Sequence, residues 1–135
     1  MMGLDDKEDI IFKLNIAMDF QEVYKDADLS LTKLAAIVGV HYGDLSKIIK
    51  ASYGMGFKSY LNEIRIKKLL NKIQNGIVGP NVTKCMEISG YKSRVTFFNA
   101  FKSRTGLSLT EYYRHTVQFN NLNKIIFESA VLTEF

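Results

Sequence analysis

The sequence predicts an all-α fold in which two small helical units are joined by one long helix. Three observations carry that prediction: a pattern of apolar and glycine residues that occurs twice, an amphipathic stripe from Phe57 to Ile73 between the two copies, and a single proline with nine glycines in 135 residues. Proline interrupts helices and a β sandwich needs a turn signal every few residues, so this composition favours helices. The length suits one domain, or two very small ones that share a helix. With 47% hydrophobic and 24% charged residues the chain has an ordinary globular balance, which excludes a disordered or collagen-like protein.

Residues 1–26 read as an N-terminal acidic helix. From Asp6 to Tyr24, the apolar residues Ile10, Ile11, Leu14, Ile16, Ala17, Met18 and Phe20 form one face, and the acids of the first turn suit the positive end of the helix dipole. The first unit, residues 27–56, opens with Leu31-x-x-Leu34-Ala35-x-x-x-Gly39. Ser30 is its expected N-cap, because a serine oxygen can accept from an unsatisfied first-turn amide. Gly39 suits the left-handed position that closes a helix. A second helix starts near Tyr42, with Leu45, Ile48 and Ile49 inward.

The same pattern returns in residues 76–116. Val82-x-x-Cys85-Met86-x-x-x-Gly90 repeats the opening helix at an offset of 51, with Asn81 as cap. Phe97-x-x-Ala100-Phe101-Lys102 and Gly106-Leu107-Ser108-Leu109-x-x-Tyr112 repeat the rest at an offset of 52. A one-residue insertion between Tyr91 and Phe97 explains the change, and twelve apolar or glycine positions match in one order. Met86 stands where the first copy has the small Ala35, so the second turn is expected to pack differently. The second long helix of this copy is expected to begin at Arg94 with Ser93 as its cap. Two helices joined by a tight glycine turn are the helix-turn-helix plan, whose second helix enters a DNA major groove. The linker, residues 57–75, holds an expected helix from Phe57 to Ile73, about 26 Å long, ended by Asn75-Gly76-Ile77-Val78-Gly79-Pro80. Residues 117–135 form a tail in which Leu122, Ile125, Ile126, Phe127 and Val131 suit another helix.

The net charge of +4 is unevenly spread. Residues 1–30 carry −5, residues 31–117 carry +10 and residues 118–135 carry −1. A basic middle behind an acidic front suits a polyanion-binding module. One cysteine, Cys85, excludes a disulfide framework and fits a reducing compartment, and it reads as a small core residue. His41 and His115 lie far apart without ligand-spaced companions, so no metal and no cofactor is expected. No paired carboxylates or nucleophile with a base emerge, so catalytic residues are expected to be absent and the chain is not expected to be an enzyme. The longest apolar run falls far short of a bilayer span, and the start is acidic rather than signal-like, so no membrane contact by this chain is expected. Two cores this small are also expected to leave no room for an effector cavity.

Several segments resemble the AraC family of bacterial transcription regulators. They are Leu31-Thr32-Lys33-Leu34-Ala35, Phe57-Lys58-Ser59-Tyr60-Leu61-Asn62-Glu63-Ile64-Arg65, Ser89-Gly90-Tyr91-Lys92-Ser93 and Thr105-Gly106-Leu107-Ser108-Leu109-Thr110-Glu111-Tyr112. Leu109 departs from the family's usual proline, and Met86 from a small residue. The acidic helix followed by Asp26-Ala27-Asp28-Leu29-Ser30-Leu31 is similar to versions at the C-terminus of larger Bacteroidetes sensors, some of them membrane-anchored. The resemblance implies a homeodomain-like tandem of two units, double-stranded DNA as partner, a cytoplasmic location, contact with RNA polymerase, and pairing of two copies through the N-terminal helix or an upstream domain.

It also implies site residues by position. Gly43, Ser46 and Lys47 of the first reading helix, and Arg94, Val95, Phe98 and Asn99 of the second, would face base edges. Arginine or lysine can donate to guanine, asparagine can pair with adenine, and an apolar group can meet a thymine methyl. Lys50, Lys102 and Arg104, with Thr83 and Ser93 near helix starts, would face phosphates. Blander roles stay open: Phe98 as a core or protein-interface residue, Arg94 as a solvated charge, and His41 as a helix cap or a phosphate neighbour. Arg65 is expected to anchor the two units through a salt bridge with an acid. The alternative function is a helical protein-interaction module, an adaptor or anti-activator, which the acidic front and the bare Gly43 support.

Overall fold

The computed structural model describes residues 4–133 and is all-helical over them. Seven α-helices follow in order: α1 (Leu4–Asp19), α2 (Leu31–Val38), α3 (Tyr42–Tyr53), α4 (Phe57–Gln74), α5 (Val82–Ser89), α6 (Arg94–Thr105) and α7 (Leu109–Thr133), with a 3-10 turn at Val23–Lys25. The repeat read from the sequence is a repeat in space. Helices α2 and α5 have 8 residues each, and α3 and α6 have 12 each. The amide of Lys33 donates to Ser30 Oγ at 3.1 Å, Lys84 to Asn81 Oδ1 at 3.0 Å and Thr96 to Ser93 Oγ at 3.3 Å, so each expected cap satisfies a first-turn amide. Gly39 and Gly90 close α2 and α5 at φ 76 and 88, a conformation that disfavours any residue with a Cβ.

Each unit has its own core. Leu14, Leu34, Leu45 and Ile49 are fully buried in the first, together with Tyr60 and Leu61 from the start of α4. Cys85, Phe97 and Phe101 fill the second, with Ile66, Leu69 and Ile73 from the rest of α4. The linker helix thus changes allegiance between Leu61 and Ile66. Burying one such aliphatic or aromatic side chain is worth about 1.5–3 kcal/mol, and α4 contributes to both cores.

Three elements depart from expectation. The first helix ends at Asp19, not Tyr24: the amides of Phe20 and Gln21 both donate to the Ile16 carbonyl, and Glu22 then takes a left-handed φ of 52. In a continuous helix Phe20 and Tyr24 would share a face. The reversal instead buries Tyr24 to 1% exposure and leaves Phe20 at 77%. The segment read as a separate tail is the continuation of α7, which runs unbroken from Leu109. Leu109, at the first helical position where proline is preorganised, is buried in the second core, and Ser108 Oγ accepts from the Glu111 amide at 3.2 Å.

Arg65 is the third. It anchors the two units as expected, but through backbone carbonyls rather than an acid. Its Nε donates to Tyr24 O at 2.9 Å and its Nη2 to Asp26 O at 2.8 Å, with the Tyr91 ring 5.3 Å from the guanidinium carbon. Burial pulls the Arg65 pKa down and pushes the Tyr91 phenol up to about 12. Tyr91 in turn donates to Asn62 Oδ1 at 2.8 Å, and Lys92 pairs with Asp28. The second unit is therefore held against both α4 and the strap, residues 20–30, that leads into the first.

Candidate nucleic-acid interface

Helices α3 and α6 each bury one face and expose the other, as an amphipathic period requires. In α3, Leu45, Ile48 and Ile49 point into the core, while Ser46, Lys47 and Lys50 are exposed and Gly43 is partly so. In α6, Phe97 and Phe101 are buried, while Arg94, Val95, Phe98, Asn99 and Lys102 are exposed. Val95 is 70% exposed and Phe98 42%, so neither serves as core. Arg94 Nη2 lies 3.5 Å from Thr83 Oγ1, which brings the starts of α5 and α6 together. Ser93 spends its hydroxyl as a cap. Arg104 is turned toward α4, where its Nε donates to Glu63 Oε1 at 2.8 Å.

His41 is a cap. Its Nδ1 accepts from the Gly43 amide at 3.1 Å, and its ring lies 4.4 Å from that of Tyr42, tilted by 32°. A Cβ on Gly43 would stand 3.2 Å from that same Nδ1, so the bare residue makes room for the imidazole. Tyr42, 53% exposed at the first position of α3, was not among the candidates read from the sequence. The offset of 52 that maps Leu45 onto Phe97 also maps Tyr42 onto Arg94.

Four acids of the front segment are engaged by lysines outside α3 and α6. Asp19 pairs with Lys68, Asp28 with Lys92, Glu22 with Lys25, and Asp26 with Lys33 at 3.7 Å. Among the described residues, Lys47, Lys50 and Lys102 form no ion pair, so the positive charge of both outer faces is uncompensated at contact range.

Among the described residues no group of three or more His, Cys, Asp or Glu could hold a metal ion. None of the described helices is long and apolar enough to cross a membrane. The expectation of no room for a ligand needs correction, because two open clefts flank α4. One of about 530 Å³ lies against α6, between Ser59, Asn62 and Asn99. The other, of about 760 Å³, lies between α1 and α4 and is bordered by Asn15, Tyr53 and Lys67. Both lie beside α4, and Met18 and Tyr60 of the first core border the larger one.

A family model described as a helix-turn-helix domain matches residues 34–115, well over half the chain. The chain belongs to the AraC-type helix-turn-helix family. An HTH-type transcriptional regulator of Staphylococcus aureus strain MSSA476 is 31% identical over 100 residues, covering 74% of this chain and 13% of that protein. This AraC-type chain thus spans about 13% of the length of the curated relatives it matches. The C-terminal domain of AraT, a response regulator from Geobacillus stearothermophilus, is similar with a TM-score of 0.63 and 25% identity over 81% of this chain and 83% of that one. A Chromobacterium violaceum transcriptional regulator with an AraC-type DNA-binding domain shares the fold, with a TM-score of 0.67 and 15% identity over 86% of this chain and 98% of that one.

Proposed function

We propose that this AraC-type chain binds double-stranded DNA sequence-specifically as the effector domain of a bacterial transcription regulator, its two units reading successive major-groove segments. The observation that carries the reading is the division of charge: Asp19, Glu22, Asp26 and Asp28 of the front segment pair with Lys68, Lys25, Lys33 and Lys92, while, among the described residues, Lys47, Lys50 and Lys102 on the two outward faces form no ion pair. Phosphate neutralisation by such lysines supplies affinity, and the side chains beside them supply sequence preference. The 18 residues of α4 span about 27 Å, which with the width of each unit suits reading helices about one DNA turn apart. The work is positioning and contact rather than catalysis, and it is done in the cytoplasm, where the DNA lies.

The exposed Val95 and Phe98 favour a second reading, in which α6 meets a protein partner. Selection of duplexes from a random pool by the whole chain separates the two. Enrichment of one asymmetric site, bound less tightly as salt rises, supports DNA reading. No enrichment, with binding absent even at low salt, supports the protein-interaction module.

A further inference from the structure

We infer that Tyr42, held by His41, is the base-contacting residue of the first unit, doing on α3 what Arg94 is placed to do on α6. This inference rests on the DNA-binding reading above. The internal repeat that aligns the buried Leu45 and Ile49 with Phe97 and Phe101 aligns Tyr42 with Arg94, each the first residue of its helix. In helix-turn-helix docking the N-terminal residues of the second helix are those that reach base edges. Tyr42 is 53% exposed, and it is not among the residues of the first core or those packed against it.

What holds it is local. The His41 ring lies 4.4 Å away at a tilt of 32°, and His41 is itself pinned by the Gly43 amide, 3.1 Å from Nδ1. In that hydrogen bond the Nδ1 lone pair is the acceptor. The missing side chain at Gly43 is then part of the device, since a Cβ there would press on His41 Nδ1 at 3.2 Å. A bare position that looks like a lost contact instead seats the imidazole beneath the phenol. The ring of Tyr42 offers an apolar edge, which in the major groove fits the methyl group of thymine. His41 is a positioning residue.

The test is a base-by-base substitution scan of a duplex selected from a random pool by the whole chain, repeated with Tyr42→Ala, Tyr42→Phe, His41→Asn and Arg94→Ala. Asparagine at 41 keeps an oxygen that can cap the Gly43 amide while removing the ring. Tyr42→Ala should cost about five-fold in discrimination at one or two base pairs, in the half of the site that Arg94→Ala leaves untouched. Tyr42→Phe should keep that preference, and His41→Asn should weaken it at the same base pairs with an unchanged thermal midpoint. If Arg94→Ala relaxes its half while Tyr42→Ala changes no position, the inference is overturned and the DNA-binding reading stands. If the unmodified chain selects no duplex, both fall together.

Discussion

A Cβ placed on Gly90 would stand 2.1 Å from the carbonyl oxygen of Tyr24, the same oxygen that accepts from Arg65 Nε at 2.9 Å. The turn of the second unit therefore touches the backbone of the strap that leads into the first. No side chain could be accommodated between them. The relative placement of the two reading helices depends on that contact and on the arginine beside it.

Gly90 and Gly39 occupy the same turn position, at φ 88 and 76, yet only Gly90 is crowded; a Cβ on Gly39 would meet nothing within 4 Å. Gly39→Ala is expected to cost about 1–2 kcal/mol, the penalty of left-handed backbone alone. Gly90→Ala should cost about 3 kcal/mol or more, since a backbone oxygen must also move. Urea unfolding of the two variants checks this. Equal losses would show that the Tyr24 contact is not close in solution.

Arg65 is 7% exposed, and lysine cannot replace it, because one ammonium on a flexible stem cannot reach both carbonyls from the same seat and also face the Tyr91 ring. Arg65→Lys should destabilise the chain by about 2–3 kcal/mol, the scale of charged hydrogen bonds lost from a buried site. A variant that unfolds at the wild-type urea concentration would contradict this.

Cys85 is fully buried, its Sγ 3.4 Å from the Gly79 carbonyl, and burial pushes the thiol up to about 11. The folded chain therefore keeps this proton between about pH 9 and 11, where the unfolded chain has lost it, so this group's contribution to stability falls as pH rises through that window. At pH 8 the folded thiol should react with a disulfide reagent only as fast as the chain opens, and urea should release it. Immediate stoichiometric labelling of the folded chain would show an accessible thiol instead.

Most of the fold was legible because the repeat is written in residues with strong local rules. Ser30, Asn81 and Ser93 cap where capping chemistry places them, and Gly39 and Gly90 end their helices where only a left-handed residue fits. What escaped depends on tertiary neighbours. The bend after Asp19 rests on a left-handed Glu22, a conformation that carries no sequence signature. Arg65 was read correctly as an anchor, but its partners are carbonyls, which look alike in every residue. The charged and amide candidates for the interface were placed by the family resemblance. Gly43 and Tyr42 could not be interpreted without seeing where the His41 ring lies.

The two units are expected to read unequally. Arg94 and Asn99 on α6 can make directional bonds to base edges, whereas Ser46 and Lys47 are the polar groups of the matching face of α3. A good paired contact gives about 1–3 kcal/mol of discrimination. Arg94→Ala or Asn99→Ala should relax preference at one or two base pairs, and Ser46→Ala should do much less. A base scan in which Ser46→Ala and Lys47→Ala erase preference, while the α6 variants leave it intact, would reverse the assigned polarity.

The central claim, that the outward faces of α3 and α6 together grip a DNA duplex, is tested most directly by the salt dependence of binding. The affinity of the whole chain for its selected duplex is measured by fluorescence anisotropy over a series of salt concentrations, for the wild type and for Lys50→Ala, Lys102→Ala and the double variant. Each unpaired lysine that meets a phosphate should flatten the slope of log affinity against log salt by about one unit, one lysine from each unit, so the double variant should lose about two. A slope that stays the same in all three variants would show that these lysines face solvent and that the duplex, if bound, is held elsewhere.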